Sequence, residues 1–309
     1  MPRKLKGLER FESWQNRSPE QGPDSGKSFK NLLSWAHTQF EFLDKNQARQ
    51  EIERLFEEVT GLRKTDLYLE PERSFSRDEV NRFRAFVSKR KERMPLAYVL
   101  NKAPFYNEEL EVNEHVLIPR PETEILVERF IERSGFRKED SFRFLDLGSG
   151  SGAIAVAVLR HFKNAQATCS DISTDALSVT RKNLISYNLD GRAEIIHSDL
   201  FENLGQRQWD AILSNPPYVA PEEFTGLEPE IFYEPRLALA GGDDGYSFYR
   251  RIIHQTPVYL KKGGWLIVEM GASQAQRVEN WLGAENFEKI QIFRDYCGKD
   301  RVAMAQYNL

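Results

Sequence analysis

The sequence predicts an α/β protein: a mostly parallel sheet with helices on both faces, ending in an antiparallel hairpin and preceded by a small helical domain. Three observations predict it. From residue 142 onward, strand-like and helix-like runs alternate, which is the pattern of repeated βα units. The last two strand-like runs, 289–293 and 302–307, are joined only by a turn around Cys297-Gly298-Lys299-Asp300. A parallel crossover needs about a dozen residues or more, so these two strands must be antiparallel. Before residue 95, apolar residues recur at helical spacing.

Residues 1–27 are polar, with Pro19, Gly22, Pro23 and Gly26 close together, and read as a flexible N-terminal tail with one short helix around 8–14. Residues 28–95 read as a helical domain. Ile52, Leu55, Phe56 and Val59 form one apolar stripe, and Gly61 stands where a helix would end. Ser76 with Glu79 makes a capping box ahead of a second stripe, Val80, Phe83 and Val87. The run Lys89-Arg90-Lys91-Glu92-Arg93 suits a solvated helix end with cations near the C-terminal dipole better than a partner-binding patch. Residues 96–120 read as a β-hairpin linker, with strands at 105–106 and 110–116. Pro119-Arg120-Pro121 breaks it, and a helix over 122–133 follows with Pro121 at its first position.

Residues 121–309 form the α/β domain. Strands are expected at 142–147, 167–172, 193–197, 210–214 and 265–270, ahead of the two final ones. Helices are expected at 153–162, 175–187, 247–259 (interrupted at Pro257) and 274–282.

The chain has 309 residues, 40% hydrophobic and 29% charged, close to soluble globular averages, so a fibrous repeat and a disordered polyelectrolyte are excluded. With 43 Lys+Arg against 47 Asp+Glu the net charge is −4, unlike a chain that binds nucleic acid through nonspecific phosphate contacts. Two cysteines cannot staple a fold of this size and suit reduced thiols. No apolar run approaches the ~20 residues of a membrane span, and no apolar segment follows the charged N-terminus, so a cytoplasmic protein without membrane contact is expected. The five histidines are scattered without metal-ligand spacing, so no metal is expected.

Asp146-Leu147-Gly148-Ser149-Gly150-Ser151-Gly152 follows the first strand of this domain and opens its helix. Glycines there allow a tight turn and close approach of a ligand to the backbone. Asp171 ends the next strand, roughly 20 residues further on, where a carboxylate can accept both ribose hydroxyls of an adenosine. Gly148, Gly150 and Ala153 also satisfy the dinucleotide fingerprint, so the loop alone leaves NAD open beside S-adenosyl-L-methionine (SAM). Two features favour SAM: Asp146 before the loop resembles the acid that methyltransferases commonly keep near the methionine end, and the ending is antiparallel. Asp199, ending the third strand, is a candidate for the adenine side or a turn cap. Leu200 beside it lines the adenine face or belongs to the core.

Asn215-Pro216-Pro217-Tyr218 ends the fourth strand. Open α/β sheets bind ligands outside the carboxyl ends of their strands. Two prolines fix φ and carry no N–H, so nearby carbonyls are presented rigidly. The Asn215 side-chain oxygen and the Pro216 carbonyl can accept two hydrogens from one planar NH2 group, with Tyr218 against its flat face. An amide nitrogen is a poor nucleophile because its lone pair is delocalised. Acceptors that orient it toward a sulfonium methyl lower the barrier by positioning and by stabilising the positive charge developing on nitrogen.

With these residues on the page, the sequence resembles the PrmC/HemK family of N5-glutamine methyltransferases that modify peptide chain release factors. The resemblance is carried by Pro95-Leu96-Ala97-Tyr98, Ile118-Pro119-Arg120-Pro121-Glu122-Thr123-Glu124, the glycine loop, Asn215-Pro216-Pro217-Tyr218, Glu234-Pro235 and Arg294-Asp295-Tyr296. It implies a Rossmann-like class I SAM-dependent methyltransferase domain behind a helical substrate-recognition domain. It implies SAM binding by Gly148, Ser149, Gly150, Ser151, Gly152, Asp171, Asp199, Leu200 and Asn215. It also implies substrate binding by Asn215, Pro216, Pro217 and Tyr218, with Asn215, Pro216 and Tyr218 catalytic. The implied substrate is the glutamine of the Gly-Gly-Gln motif in class-1 release factors. The family's aromatic after the third-strand acid is Leu200 here, which weakens a stacking role at that position. The alternatives are glutamine methylation of a large-subunit ribosomal protein, toward which Asn101-Lys102-Ala103 leans slightly, and N6-adenine methylation of DNA, where an exocyclic amine poses the same chemical problem.

Overall fold

A computed structural model describes residues 28–308; the tail expected over 1–27, with its short helix, lies outside the described residues. The chain divides into two compact units, one up to Leu100 and one from Asn101.

The first unit contains α1 (Phe29–His37), α2 (Lys45–Thr60), α3 (Lys64–Leu69), α4 (Arg77–Lys91) and α5 (Leu96–Leu100). Asp44 caps α2 by accepting from the N–H groups of Asn46 and Gln47, and Gly61 ends it at φ 68°, a left-handed conformation that glycine adopts without cost. Both predicted stripes are buried, and the Phe56 and Phe83 rings stack 3.9 Å apart between the two helices. The basic run differs from expectation at one residue. Arg90 is buried, pairs with Glu51 of α2 at 2.6 Å and lies over the Phe42 ring. Its position on the core side of α4 overrides the solvated-end reading.

The second unit opens with a hairpin, β1 (Lys102–Phe105) and β2 (Glu108–Glu111), paired antiparallel. The sequence predicts a linker over 96–120; helix α5 lies in the first unit and the hairpin in the second. Helix α6 (Pro121–Arg133) begins with Pro121 at N1. Then follow β3 (Arg143–Leu147), α7 (Ala153–His161), β4 (Gln166–Asp171), α8 (Thr174–Ser186), β5 (Ala193–His197), β6 (Trp209–Ser214), α9 (Ser247–Tyr259), β7 (Leu260–Glu269), α10 (Ala275–Ala284), β8 (Phe287–Arg294) and β9 (Asp300–Tyr307). Helix α9 runs through Pro257 without interruption. The proline sits in the last turn, where it costs the helix one bond, from its own missing N–H to the Ile253 carbonyl.

Among the described residues these strands form one seven-stranded sheet ordered β5-β4-β3-β6-β7-β9-β8. Strands β3 to β7 are parallel, and β9 is antiparallel to both β7 and β8. Alternation along β3 and β6 sends Phe144, Ala211 and Leu213 into the layer under α6 and α7. Leu145, Leu147 and Ile212 pack into the layer under α9 and α10. Chain order reverses between β3 and β6, which opens a crevice at their carboxyl ends. Among the described residues no helix is long and apolar enough to cross a membrane.

Candidate active site

The glycine loop turns from β3 into α7 with Gly148, Gly150 and Gly152 all at positive φ. It is pinned from two sides. The N–H groups of Gly148 and Ser149 donate to the Ser170 carbonyl at 2.8 and 2.9 Å. From α8, Thr180 Oγ1 donates to the Gly150 carbonyl and Asn183 Nδ2 to the Ser151 carbonyl, each at 2.9 Å. The opposite oxygen of Asn183 accepts from Glu111 N at 2.7 Å, so α8 ties the loop to the hairpin.

Asp171 ends β4 beside this loop. One carboxylate oxygen accepts from Gly150 N and the other from Ser173 N, both at 2.9 Å. Burial raises its pKa, and these backbone donors oppose the shift. The carboxylate keeps acceptor capacity beyond these backbone donors, and Asp171 lines the cavity at the crevice. Asp199 pairs with Arg251 at 2.9 Å. The turn-capping contacts are made instead by Ser198, whose Oγ donates to the Leu200 carbonyl and accepts from Asn203 N. Leu200, at φ 49°, lines the cavity with Ile172 and Phe248.

Asp146 lies elsewhere than the sequence suggests. It is wholly buried behind the loop and does not line the cavity. One oxygen accepts from Ala155 N at 3.0 Å and the other has no partner among the described residues. Burial raises its pKa from 3.8 to about 7. The folded chain therefore holds this proton more tightly than the unfolded chain. The cost of ionising Asp146 is absent below about pH 4 and grows until about pH 7. Asp146→Asn keeps an acceptor for Ala155 and removes the titration. Its stability relative to wild type is expected to rise by about 4 kcal/mol across that window in chemical denaturation. A pH-independent difference would contradict this assignment.

The loop after β6 faces the glycine loop because Ser214 Oγ donates to the Leu147 carbonyl at 2.7 Å, joining the ends of the two strands. Asn215 Nδ2 donates to Thr123 Oγ1 at 3.0 Å, which leaves its Oδ1 as the amide's acceptor. Thr123 Oγ1 donates to Glu269 at 2.5 Å, and the Tyr218 hydroxyl donates to the same carboxylate at 3.3 Å. Glu269 ends β7, is wholly buried, and is raised by that burial to about 7. Tyr218 is raised as well, chiefly by burial. The backbone beyond is locked. Val219 and Ala240 form a parallel bridge, Gln274 Nε2 donates to the Tyr218 carbonyl at 3.3 Å, and a Cβ on Gly241 would lie 2.7 Å from Tyr218 Cα. Across the cavity, Glu234 ion-pairs with Arg120 and accepts from Ile118 N. Pro119 and Pro235, next to that pair in the chain, line the cavity wall together with Leu237.

The structure thus gathers Gly148, Ser149, Gly150, Ser151, Asp171, Asp199, Leu200, Asn215, Pro216 and Pro217 around one cavity. Gly152 shapes the loop from behind and Tyr218 sits at its edge, as neither lines the cavity wall. Thr123, Glu269, Gln274 and the Arg120–Glu234 pair carry no signal that names their partners, although Thr123, Arg120 and Glu234 lie inside the motifs quoted above.

A glycine loop at positive φ, a carboxylate beside it that can still accept a hydroxyl, and apolar side chains beyond it fit an adenosine. A rigid acceptor loop opposite fits a group that presents N–H. On this sheet, with its antiparallel ending, that combination defines a methyltransferase that uses S-adenosyl-L-methionine. The family model of the methyltransferase small domain matches residues 121–242, and that of the PrmC N-terminal domain matches residues 31–100. The release factor glutamine methyltransferase of Caulobacter vibrioides is 35% identical over 82% of this chain and 88% of its own length. That of Geobacter sulfurreducens is also 35% identical, over 89% and 95%. The solved hMettl16 catalytic domain shares the fold, with a TM-score of 0.50 and 16% identity over 65% of this chain and 75% of that one. The chain belongs to the release factor glutamine methyltransferase family.

Proposed function

We propose that this protein methylates the side-chain amide nitrogen (N5) of the glutamine in the Gly-Gly-Gln motif of class-1 release factors, in the cytoplasm. The observation that carries the reading is the orientation of Asn215. One N–H of its amide is given to Thr123, which turns its carbonyl away from Thr123 as an acceptor, next in the chain to the Pro216 carbonyl. Two such acceptors suit a planar NH2, and release-factor relatives of similar length carry the same activity in their names.

In this reading Gly148, Ser149, Gly150 and Ser151 would hold the methionine end of SAM, with Gly152 shaping their loop from behind. Asp171 would accept the ribose hydroxyls, Asp199 and Leu200 would face the adenine, and Asn215 would border the methyl. SAM supplies the methyl group as an electrophilic sulfonium. Asn215 and Pro216 would draw the glutamine NH2 into line with that methyl, Pro217 holds the loop rigid, and Tyr218 anchors the loop at its edge through Glu269. The same acceptors stabilise positive charge developing on nitrogen before its proton leaves. Residues 28–95 recognise the protein substrate, since their chemistry is apolar stripes and ion pairs without a reactive constellation.

The test is transfer of labelled methyl to three acceptors: a release factor, a large-subunit ribosomal protein and DNA. Label is expected on the release-factor glutamine; label on either other acceptor selects that alternative. A chain beginning at Asn101 is expected to bind SAM but to methylate intact release factor poorly. Full-rate transfer by that shortened chain would remove the recognition role from the first unit.

A further inference from the structure

Three elements converge on Glu269. Thr123 stands in the first turn of α6, Tyr218 follows β6, and Glu269 ends β7; Thr123 and Glu269 are both buried. The polarity of this chain follows from counting protons. A threonine hydroxyl owns one hydrogen. The 2.5 Å contact spends it on the Glu269 carboxylate. Thr123 Oγ1 can then meet Asn215 only as an acceptor, and the group it meets at 3.0 Å is the Asn215 NH2. An amide turned the other way would set two acceptors against each other, with no proton between them.

We propose that Glu269 and Thr123 are positioning residues that set the polarity of Asn215, keeping its carbonyl toward the substrate amide. The inference rests on the reading that the substrate presents an NH2 group. Without the relay, the Asn215 side chain can turn by half a revolution. Its NH2 then opposes the substrate NH2, donor against donor, and the acceptor pair is lost.

The same count makes the relay reversible. A protonated Glu269 can donate to Thr123 Oγ1. The threonine proton then becomes available to the Asn215 carbonyl, and the turned amide is the one favoured. Burial holds Glu269 near the point of this change. Thr123, Tyr218 and Arg301 act to keep it ionised, and Glu122 acts against them. Tyr249, from α9, donates to the Glu269 backbone carbonyl at 3.2 Å. Arg301 supplies the counter-charge and is itself held by Asp295 at 3.1 Å, so the Arg294-Asp295-Tyr296 motif anchors the cation that faces Glu269.

Thr123→Val removes the hydroxyl at nearly constant volume, and Thr123→Ser keeps it. The measurements are kcat and KM for labelled methyl transfer to release factor by the full chain, SAM affinity by calorimetry, and kcat against pH. Thr123→Val is expected to lower kcat roughly 10- to 100-fold, with SAM affinity and fold retained, because it strips the Asn215 NH2 of its acceptor. Thr123→Ser is expected to recover most of that loss. Wild-type kcat is expected to fall on the acid side with a midpoint near 7, and Glu269→Gln to lack that limb. Wild-type transfer with Thr123→Val at full rate overturns the relay alone, as does a loss that serine fails to rescue or an acid limb that survives in Glu269→Gln. Wild-type enzyme that labels no release factor overturns the functional reading and the relay with it.

Discussion

Asn215→Ala is expected to slow methyl transfer by 10²–10³, or about 2.7–4 kcal/mol, the scale of losing one preorganised group that acts on developing charge. Thermal stability is expected to change little. The side chain makes one hydrogen bond, to Thr123, and the net worth of such a bond is about 1 kcal/mol. Asn215→Asp is the sharper comparison. A lone acceptor role would let aspartate work better than alanine. The hydrogen-bond chain leads to a different expectation, because Thr123 has already given its proton to Glu269. An aspartate there sets two carboxylates around one hydroxyl, so Asp is expected to be as slow as Ala. Single-turnover rates with SAM affinity measured in parallel separate these outcomes. Should both variants transfer methyl at the wild-type rate, the loop is a turn and not a clamp.

Asp171→Ala is expected to weaken SAM binding by roughly 10²-fold. Charge-assisted hydrogen bonds contribute about 1.5–3 kcal/mol each, and the substitution also strips the acceptors from two backbone donors, Gly150 and Ser173. The glycine loop loses a wall at the same time, so part of the loss comes from the protein rather than from the ribose. Asp171→Asn, which keeps one carbonyl oxygen, is expected to fall between wild type and alanine. At saturating SAM, kcat is expected to drop far less than affinity, since Asp171 lies at the ribose and not at the methyl. Unchanged affinity in calorimetry would remove Asp171 from the cofactor site.

The sequence by itself determined the order of elements, the parallel sheet and its antiparallel ending. Periods of two and near four report which face of a segment is buried, and the short turn at Cys297-Gly298-Lys299-Asp300 leaves a connection no room for a crossover. The glycine loop and the Asn215-Pro216-Pro217-Tyr218 loop were legible too, because glycine and proline act on their own backbone wherever they stand. Side-chain partners were not. Nothing in the sequence showed that Thr180 holds the Gly150 carbonyl. The charge run read Arg90 as a solvated helix end, whereas Glu51 draws it into the core. Asp146 was assigned to the ligand by its neighbours in sequence and stands behind the loop. The acid that meets the clamp is Glu269, reached through Thr123. Those two residues are 146 positions apart, and Thr123 is 92 positions from Asn215. Only packing of α6 across the ends of β6 and β7 brings them within hydrogen-bonding distance. A buried hydroxyl with one proton then has a single consistent way to share it, so the direction of the amide is a property of the tertiary structure alone.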